Sequence, residues 1–250
     1  MSSPIMPLRL ISLLLFNIFC IFLVIVFYYI LPNNIWIYFV RMWALGNIKI
    51  IGIQIIDDGI QNPYIEKNAM VIANHISWLD IPILYTKHSV SFIGRAEIKR
   101  WPLINLLVKS GGTIFINRER KRDLVHINKV VSTELSKGAT IGLFPEGRTG
   151  NGLQLQAFKP SLLESTIIAK STIIPLVIQY YTLDGELTTK ITYEGNTTLW
   201  QSIKNSLSLN GILVKITSLP RVNAGEFTNR EELAQFLHQQ INNCLIGNNS

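Results

Sequence analysis

The chain predicts an α/β fold, a mixed and mostly parallel sheet flanked by helices, with an N-terminal membrane-anchoring helix ahead of it. Three observations carry that expectation. Short β-branched runs alternate with helical patterns over residues 48–217. A βαβ unit is legible between Thr113 and Phe144, its helix closed by a glycine. Ile11 to Leu31 holds 21 residues without one charged side chain. At 250 residues the chain is long enough for one sizeable core. An anchor over residues 1–44 and a single domain over 45–250 account for all of it.

The apolar run is dominated by Ile, Leu, Phe and Val, and as a helix it matches a bilayer core of about 30 Å. A cleaved signal peptide is the rival. Against it, the run is too long, only Arg9 precedes it, and Leu31-Pro32-Asn33-Asn34 has no small-residue cleavage pattern. Residues 35–43, aromatic-rich around Arg41, read either as an interfacial helix at headgroup depth or as a core helix of the domain. Strands are expected at Ile48 to Ile56, Ala69 to Ala73, Val90 to Ile93, Thr113 to Ile116, Thr140 to Phe144, Ser171 to Ile178 and Ile212 to Thr217. Arg122 to Lys137 carries Leu124, Ile127, Val131 and Leu135 on one helical face, and Gly138 follows as its C-terminal cap. Thr228-Asn-Arg-Glu231 forms a capping box for a last helix whose apolar face is Leu233, Phe236, Leu237, Ile241 and Leu245.

Charge and cysteine content narrow the setting. The net charge is +7, and of 23 Lys and Arg all but Arg9 lie beyond residue 40. The surface that follows the anchor should therefore prefer anionic membranes, and the positive-inside tendency turns it toward the cytoplasm. The densest cluster, Arg118-Glu-Arg120-Lys121-Arg122, is worth about 1 kcal/mol per cation close to anionic headgroups; a solvated loop is the plainer reading for its last three cations. A nucleic-acid partner is not expected, because no DNA or RNA motif accompanies the basic balance. Cys20 sits in the apolar run and Cys244 near the end of the chain, so both read as packing residues. No metal is expected: His-Glu-x-x-His and Cys-x-x-Cys are missing, and His88, His126 and His238 have no ligand spacing around them.

Two polar loops stand out, each directly after an apolar strand. Asn74-His75-Ile76-Ser77-Trp78-Leu79-Asp80 sets an imidazole and a carboxylate five positions apart. A carboxylate that holds one ring nitrogen lets the other take a proton from an alcohol near pH 7. A capping Asp beside a buried His is the bland alternative. About seventy residues on, Phe144-Pro145-Glu146-Gly147-Arg148-Thr149-Gly150 offers a carboxylate, an arginine and two glycines. Loops that leave the ends of parallel strands converge on one site. The Gly147 to Gly152 stretch is not a dinucleotide fingerprint, because the spacing is wrong and no helix opens from it.

In order, the chain reads Asn74-His75-x4-Asp80, Gly112-Thr-Ile-Phe-Ile-Asn-Arg118, Phe144-Pro-Glu146-Gly147 and Ile174-Pro175-Leu176. These four blocks resemble the glycerolipid acyltransferases, whose best-known members are the 1-acylglycerol-3-phosphate acyltransferases. The likeness covers roughly residues 45–220, and Phe92 to Ile104 is similar to the family's stretch between its first two blocks.

The resemblance implies an acyl thioester donor, acyl-CoA or acyl carrier protein, as co-substrate with no other cofactor, and membrane lipids as partners. His75 is then the general base that takes the acceptor's hydroxyl proton, and Asp80 orients its ring. Arg118 and Gly112 belong to the block that would bind the acceptor phosphate. Glu146 is expected to orient Arg118 or Arg148 or to bind glycerol hydroxyls, and backbone N–H groups around Glu146 and Gly147 to meet the oxyanion. Lys159 is a headgroup candidate or a solvated lysine. Two departures from the family pattern touch the phosphate contacts: Asn117 stands where many members carry Asp, and Arg148-Thr149 reverses the usual order. The implied product is phosphatidic acid from lysophosphatidic acid; a lyso-ornithine lipid is the alternative acceptor. A thioester hydrolase ranks second, lacking any Gly-x-Ser-x-Gly elbow, and a non-catalytic lipid-binding protein third.

Overall fold

A computed structural model describes residues 4–28, 30–59, 67–87, 90–95, 112–116 and 121–247. Two antiparallel helices, α1 (Met6–Phe27) and α2 (Asn33–Ile51), lead into the α/β domain. Its elements are β1 (Ile53–Asp58), β2 (Ala69–Ala73), α3 (Asp80–Lys87), β3 (Ser91–Arg95), β4 (Ile114–Ile116), α4 (Lys121–Ser136), β5 (Thr140–Leu143), α5 (Glu164–Ile168), β6 (Thr172–Tyr181), α6 (Leu199–Ser208), β7 (Ile212–Ser218), β8 (Val222–Asn223) and α7 (Arg230–Gly247). The sheet runs β1-β7-β6-β2-β5-β3-β4, with β8 on β6. Along that path only β6 and β7 pair antiparallel, so the sheet is mixed and mostly parallel, as expected.

Strand β2 explains why its sequence is an unbroken apolar run. Ala69, Val71 and Ala73 face one core with α2 and α3, while Met70 and Ile72 face a second with α4 and α7. A central parallel strand is buried on both faces, so alternation disappears. β2 lies between β6 and β5 in parallel register, Ala73 opposite Leu176 and Ile72 opposite Leu143. The carboxyl ends of β2 and β5 therefore release their two polar loops side by side.

The helices at the front differ from the sequence expectation in one respect. Residues 48–51, read there as the start of a strand, close α2 instead. Trp36, Val40, Ala44, Ile48 and Ile51 are buried at helical spacing, which recruits the isoleucines to the helix. Gly52 then ends it at φ 85°, its N–H donating to the carbonyls of Ile48 and Lys49. The helix passes through residues 44 and 45 without a break. Its outer face carries Ile35, Ile37, Tyr38, Met42 and Leu45, all exposed.

α1 is long and apolar enough to cross a membrane. Its outward residues, among them Leu8, Ile11, Leu15, Ile18 and Phe22, are exposed. Its first turn is tied to the domain by Arg9, which donates to the carbonyls of Leu209 and Asn210 at 2.7 and 2.9 Å. Halfway along, Asn17 donates to Asn47 Oδ1 and accepts from Trp43 Nε1, both at 2.9 Å. That network satisfies polar groups that would otherwise be costly inside an apolar helix pair.

At the other end, the N-cap of α7 is Asn229 and not Thr228: Asn229 Oδ1 accepts from Glu232 N at 2.8 Å. Asn caps as well as Thr, and the Glu232 carboxylate accepts from Thr228 Oγ1 at 3.4 Å. Phe236 is 40% exposed and leans on Phe227, off the buried face formed by Leu233, Leu237, Ile241 and Leu245. Three helices, α3, α5 and α6, had no sequence expectation. α6 buries Ser202 and Ser206, so polar residues stand on its inward face and blur its periodicity. α3 begins at Asp80 itself.

Across the β3–β5 pair, Phe92 lies opposite Gly142. A Cβ on Gly142 would sit 2.6 Å from the Phe92 ring, so the absent side chain is what admits the ring. Gly142→Val is expected to displace Phe92 and cost about 1–3 kcal/mol, read as a lower midpoint of thermal unfolding of the detergent-purified protein.

Candidate active site

The first loop turns back on itself around Asp80. Asp80 is fully buried, and its Oδ2 accepts from Ile76 N at 2.7 Å, Ser77 N at 2.9 Å and His75 Nδ1 at 2.7 Å. A carboxylate facing Nδ1 leaves Nε2 as the ring nitrogen free to accept a proton. His75 is 17% exposed, so that nitrogen is reachable. The bland reading of a capping Asp is thus half right: Asp80 does cap backbone N–H groups, and it holds the imidazole with the same oxygen. Its other oxygen, Oδ1, accepts from the Tyr180 hydroxyl at 2.5 Å. Burial first, then the charge of Asp80 and the hydrogen bond to it, push the Tyr180 phenol well above its ordinary pKa, so it stays a donor.

Phe144, the residue that opens the second loop, stacks on the His75 ring at 4.0 Å between centroids and 10° between planes. Phe92 stacks on Phe144 in turn, 5.7 Å away. The imidazole plane is therefore fixed by an apolar wall on one side and by Asp80 at its edge.

The second loop is fastened to the first through Glu146. Its Oε1 accepts from His75 N at 2.7 Å and its Oε2 from Gln156 N at 3.0 Å. The expectation that Glu146 orients Arg148 is corrected here: the carboxylate is spent on backbone amides, and Arg148 Nε instead donates to Gln156 Oε1. Burial raises the Glu146 pKa above its ordinary 4.5, against the lowering effect of those two N–H groups and of His75. Gly150 N closes the joint by donating to His75 O at 2.7 Å.

Gly147 adopts φ 71°, and its N–H donates to Phe144 O at 3.1 Å, so this amide is engaged rather than open to an oxyanion. A Cβ on Gly147 would lie 2.9 Å from Lys159 Nζ, so the lysine crosses directly over this backbone. Lys159 N in turn donates to Pro145 O. A cleft of about 800 Å³ opens here, with Glu146, Arg148, Gln156, Phe158, Lys159 and Glu194 on its walls. His75 is not on that wall; Glu146 is the link between the two.

The structure thus brings together His75, Asp80, Glu146, Gly147, Arg148 and Lys159. Gly112 stands at φ 70° ahead of β4, against Ser91, with no described contact to the two loops. Arg118, Asn117, Arg120 and His88 lie outside the described residues. His238 packs edge-on against Phe158.

Several contributors had no local signal. Asn74 makes a two-point clamp on β6, donating to Ile178 O at 2.9 Å and accepting from Ile178 N at 2.8 Å. Tyr180 lies a hundred residues from Asp80. A third segment, residues 191–194, is laced to both loops: Ser77 Oγ donates to Ile191 O at 2.9 Å, Tyr193 N to Ile76 O at 3.1 Å, and Thr149 Oγ1 to Tyr193 O. An Asn before the His is visible in the sequence, but its partner strand is not.

The family described as Acyltransferase matches residues 48–179, which include both loops and most of the sheet. The chain belongs to the acyltransferase family. It is 32% identical over 202 residues to a 1-acyl-sn-glycerol-3-phosphate acyltransferase of Neisseria gonorrhoeae, covering 79% of this chain and 78% of that protein. A lyso-ornithine lipid O-acyltransferase of Pseudomonas aeruginosa is 32% identical over 176 residues, 70% of this chain and 67% of that one. Among solved structures, the 1-acyl-sn-glycerophosphate (LPA) acyltransferase PlsC of Thermotoga maritima superposes with a TM-score of 0.70 over 97% of this chain and 98% of that chain; at 17% identity the likeness is one of fold.

Glu146→Gln separates two effects. In the native protein the raised pKa means that Glu146 keeps its proton to higher pH than in the unfolded chain. Its contribution to stability is complete below pH 4.5 and is lost as pH rises through the raised value. Gln removes that slope but faces one of two N–H donors with its own NH₂, at about 1–3 kcal/mol. The expected outcome is a flatter stability profile above pH 4.5 in chemical unfolding together with lower transferase activity.

Proposed function

We propose that this acyltransferase moves a fatty acyl group from an acyl-CoA or acyl carrier protein thioester to the free hydroxyl of lysophosphatidic acid, giving phosphatidic acid at a membrane surface. The observation that carries the reading is the imidazole of His75, held at Nδ1 by a buried carboxylate and reachable at Nε2. The acceptor hydroxyl gives its proton to Nε2 as its oxygen attacks the thioester carbonyl. The C–O bond forms, the C–S bond breaks, and the imidazolium returns the proton to the departing thiolate. No covalent enzyme intermediate is needed. A base so placed contributes about 10² to 10⁴ in rate.

The two cations on the cleft beside Glu146, Arg148 and Lys159, suit an anionic headgroup. Arg118 belongs with them by its sequence block. The exposed apolar flanks of α1 and α2 suit a membrane, with the basic domain on the cytoplasmic face. The relative from Neisseria gonorrhoeae supports lysophosphatidic acid as acceptor.

A second acceptor has its own support. Glu194 shares the cleft with Arg148 and Lys159, and a wall with both charge signs suits a zwitterionic headgroup. The Pseudomonas aeruginosa relative points the same way, to lyso-ornithine lipid.

The test is acyl transfer by the detergent-purified chain, with acyl-CoA and acyl carrier protein donors against lysophosphatidic acid and lyso-ornithine lipid. Transfer to lysophosphatidic acid is expected, reduced about 10²- to 10⁴-fold in His75→Ala. Full turnover in that variant overturns the base; transfer to lyso-ornithine lipid alone reassigns the acceptor; thioester cleavage without an acceptor makes the enzyme a hydrolase.

A further inference from the structure

Asp80 has two oxygens and they are treated differently. Oδ2 takes three donors from its own loop, and these follow from the loop's sequence. Oδ1 takes the hydroxyl of Tyr180, which comes from β6 in the middle of the sheet. We propose that the catalytic unit is a triad, His75–Asp80–Tyr180, in which Tyr180 is a positioning residue that sets the proton affinity of His75 through Asp80. The proposal rests on the reading of His75 as general base.

The placement of Tyr180 is built into the register. β2 and β6 pair in parallel up to Ala73 and Leu176. Beyond that point the backbone of β2 turns away into the loop, and the side-chain amide of Asn74 continues the ladder by exchanging two hydrogen bonds with Ile178. Two residues further along β6, on the same face of the strand, Tyr180 arrives beneath Asp80. Its ring is 1% exposed and belongs to the core that contains Leu79 and Ile83. A phenylalanine would fill that space. The hydroxyl therefore has one visible purpose, which is the carboxylate.

The physical effect has a definite sign. Among the described residues, the titratable groups facing the His75–Asp80 pair are Tyr180 from β6 and Glu146 from the loop after β5. A neutral donor on Oδ1 draws charge from the carboxylate and makes it a weaker partner for the imidazolium. Without that donor, Asp80 binds the imidazolium more tightly. His75 then holds its proton to higher pH, and the fraction of enzyme with a free base at pH 7 falls. Oδ1 would also be left without a donor in the core, while Oδ2 stays held by Ile76 N and Ser77 N.

Two readouts test this. The first needs no substrate: modification of His75 by diethyl pyrocarbonate, followed across pH by mass spectrometry of its peptide. In Tyr180→Phe the midpoint is expected at higher pH than in the parent; with 3-fluorotyrosine at position 180, a more acidic phenol and stronger donor, at lower pH. The second is turnover with the donor and acceptor that the parent enzyme uses: in Tyr180→Phe kcat is expected to fall about tenfold with KM within about twofold, and the acid limb of the pH profile to follow the chemical midpoint. Unchanged midpoints in both variants overturn the triad. A lower folded fraction with an unmoved midpoint also overturns it, because that is what loss of packing alone produces. Should Tyr180→Phe not fold, the fluorotyrosine protein decides by the same midpoint. Activity retained in His75→Ala is a different failure: it removes the general base, while the modification midpoint still reports whether Tyr180 governs His75.

Discussion

A fully buried carboxylate is the constraint on which this site depends. Asp80 is fully buried, and taking such a group out of water costs several kcal/mol. Four donors offset that cost: two backbone N–H groups of its own loop, His75 and Tyr180. Hydrogen bonds to a charged group contribute about 1.5–3 kcal/mol each, so four of them are of the size needed to offset the cost. The same four bonds define the loop. Once Asp80 is satisfied, Ile76 and Ser77 are pinned, the imidazole has one orientation, and β6 is fixed under the first helical turn of α3. The geometry that orients the imidazole and the geometry that buries a charge are one arrangement.

Glu146 repeats this logic one layer out. It also is a buried acid that accepts from main-chain amides, one from each loop. Its pKa is raised, because burial outweighs the two hydrogen bonds that it accepts. The Glu of the second loop therefore acts on the first loop's backbone and not on Arg148. Arg148 is left to Gln156, and Gln156 reaches Glu194 at 3.4 Å. Acid, amide and arginine form a brace along the cleft, and charges on that wall are set by their neighbours before any substrate arrives.

What could be read in the sequence follows from how local each interaction is. The His75–Asp80 pair closes within six residues, so spacing announces it. β2 and β5 are unbroken apolar runs, and their order in the chain predicts two loops on one sheet edge. Tyr180 and Ile191 are joined to the site by single hydrogen bonds across a hundred residues or more, and no local pattern encodes such a partner. The isoleucines at 48 and 51 misled for the opposite reason: β-branched residues favour strands, yet here their spacing from Ala44 completes a helical stripe. In α6 the buried serines donate to backbone carbonyls of Ile191 and Ser202 and so stand in for apolar residues that a periodicity reading would look for.

The helical hairpin belongs to the same packed unit as the imidazole. Asn17 on α1 bonds Trp43 on α2; the Trp43 ring meets Tyr85 on α3 at 6.3 Å, Tyr85 meets Phe92 at 5.2 Å, Phe92 meets Phe144, and Phe144 covers His75. Arg9 ties the opposite flank of the hairpin to the end of α6. A flexible linker between the hairpin and the domain would let His75 sit at any distance from the exposed apolar helices. Here aromatic rings in contact run from the exposed apolar helices to the His75 ring, and close packing transmits position with little slack. Whatever surface receives the outer faces of α1 and α2 therefore sets the position of His75 relative to that surface as well.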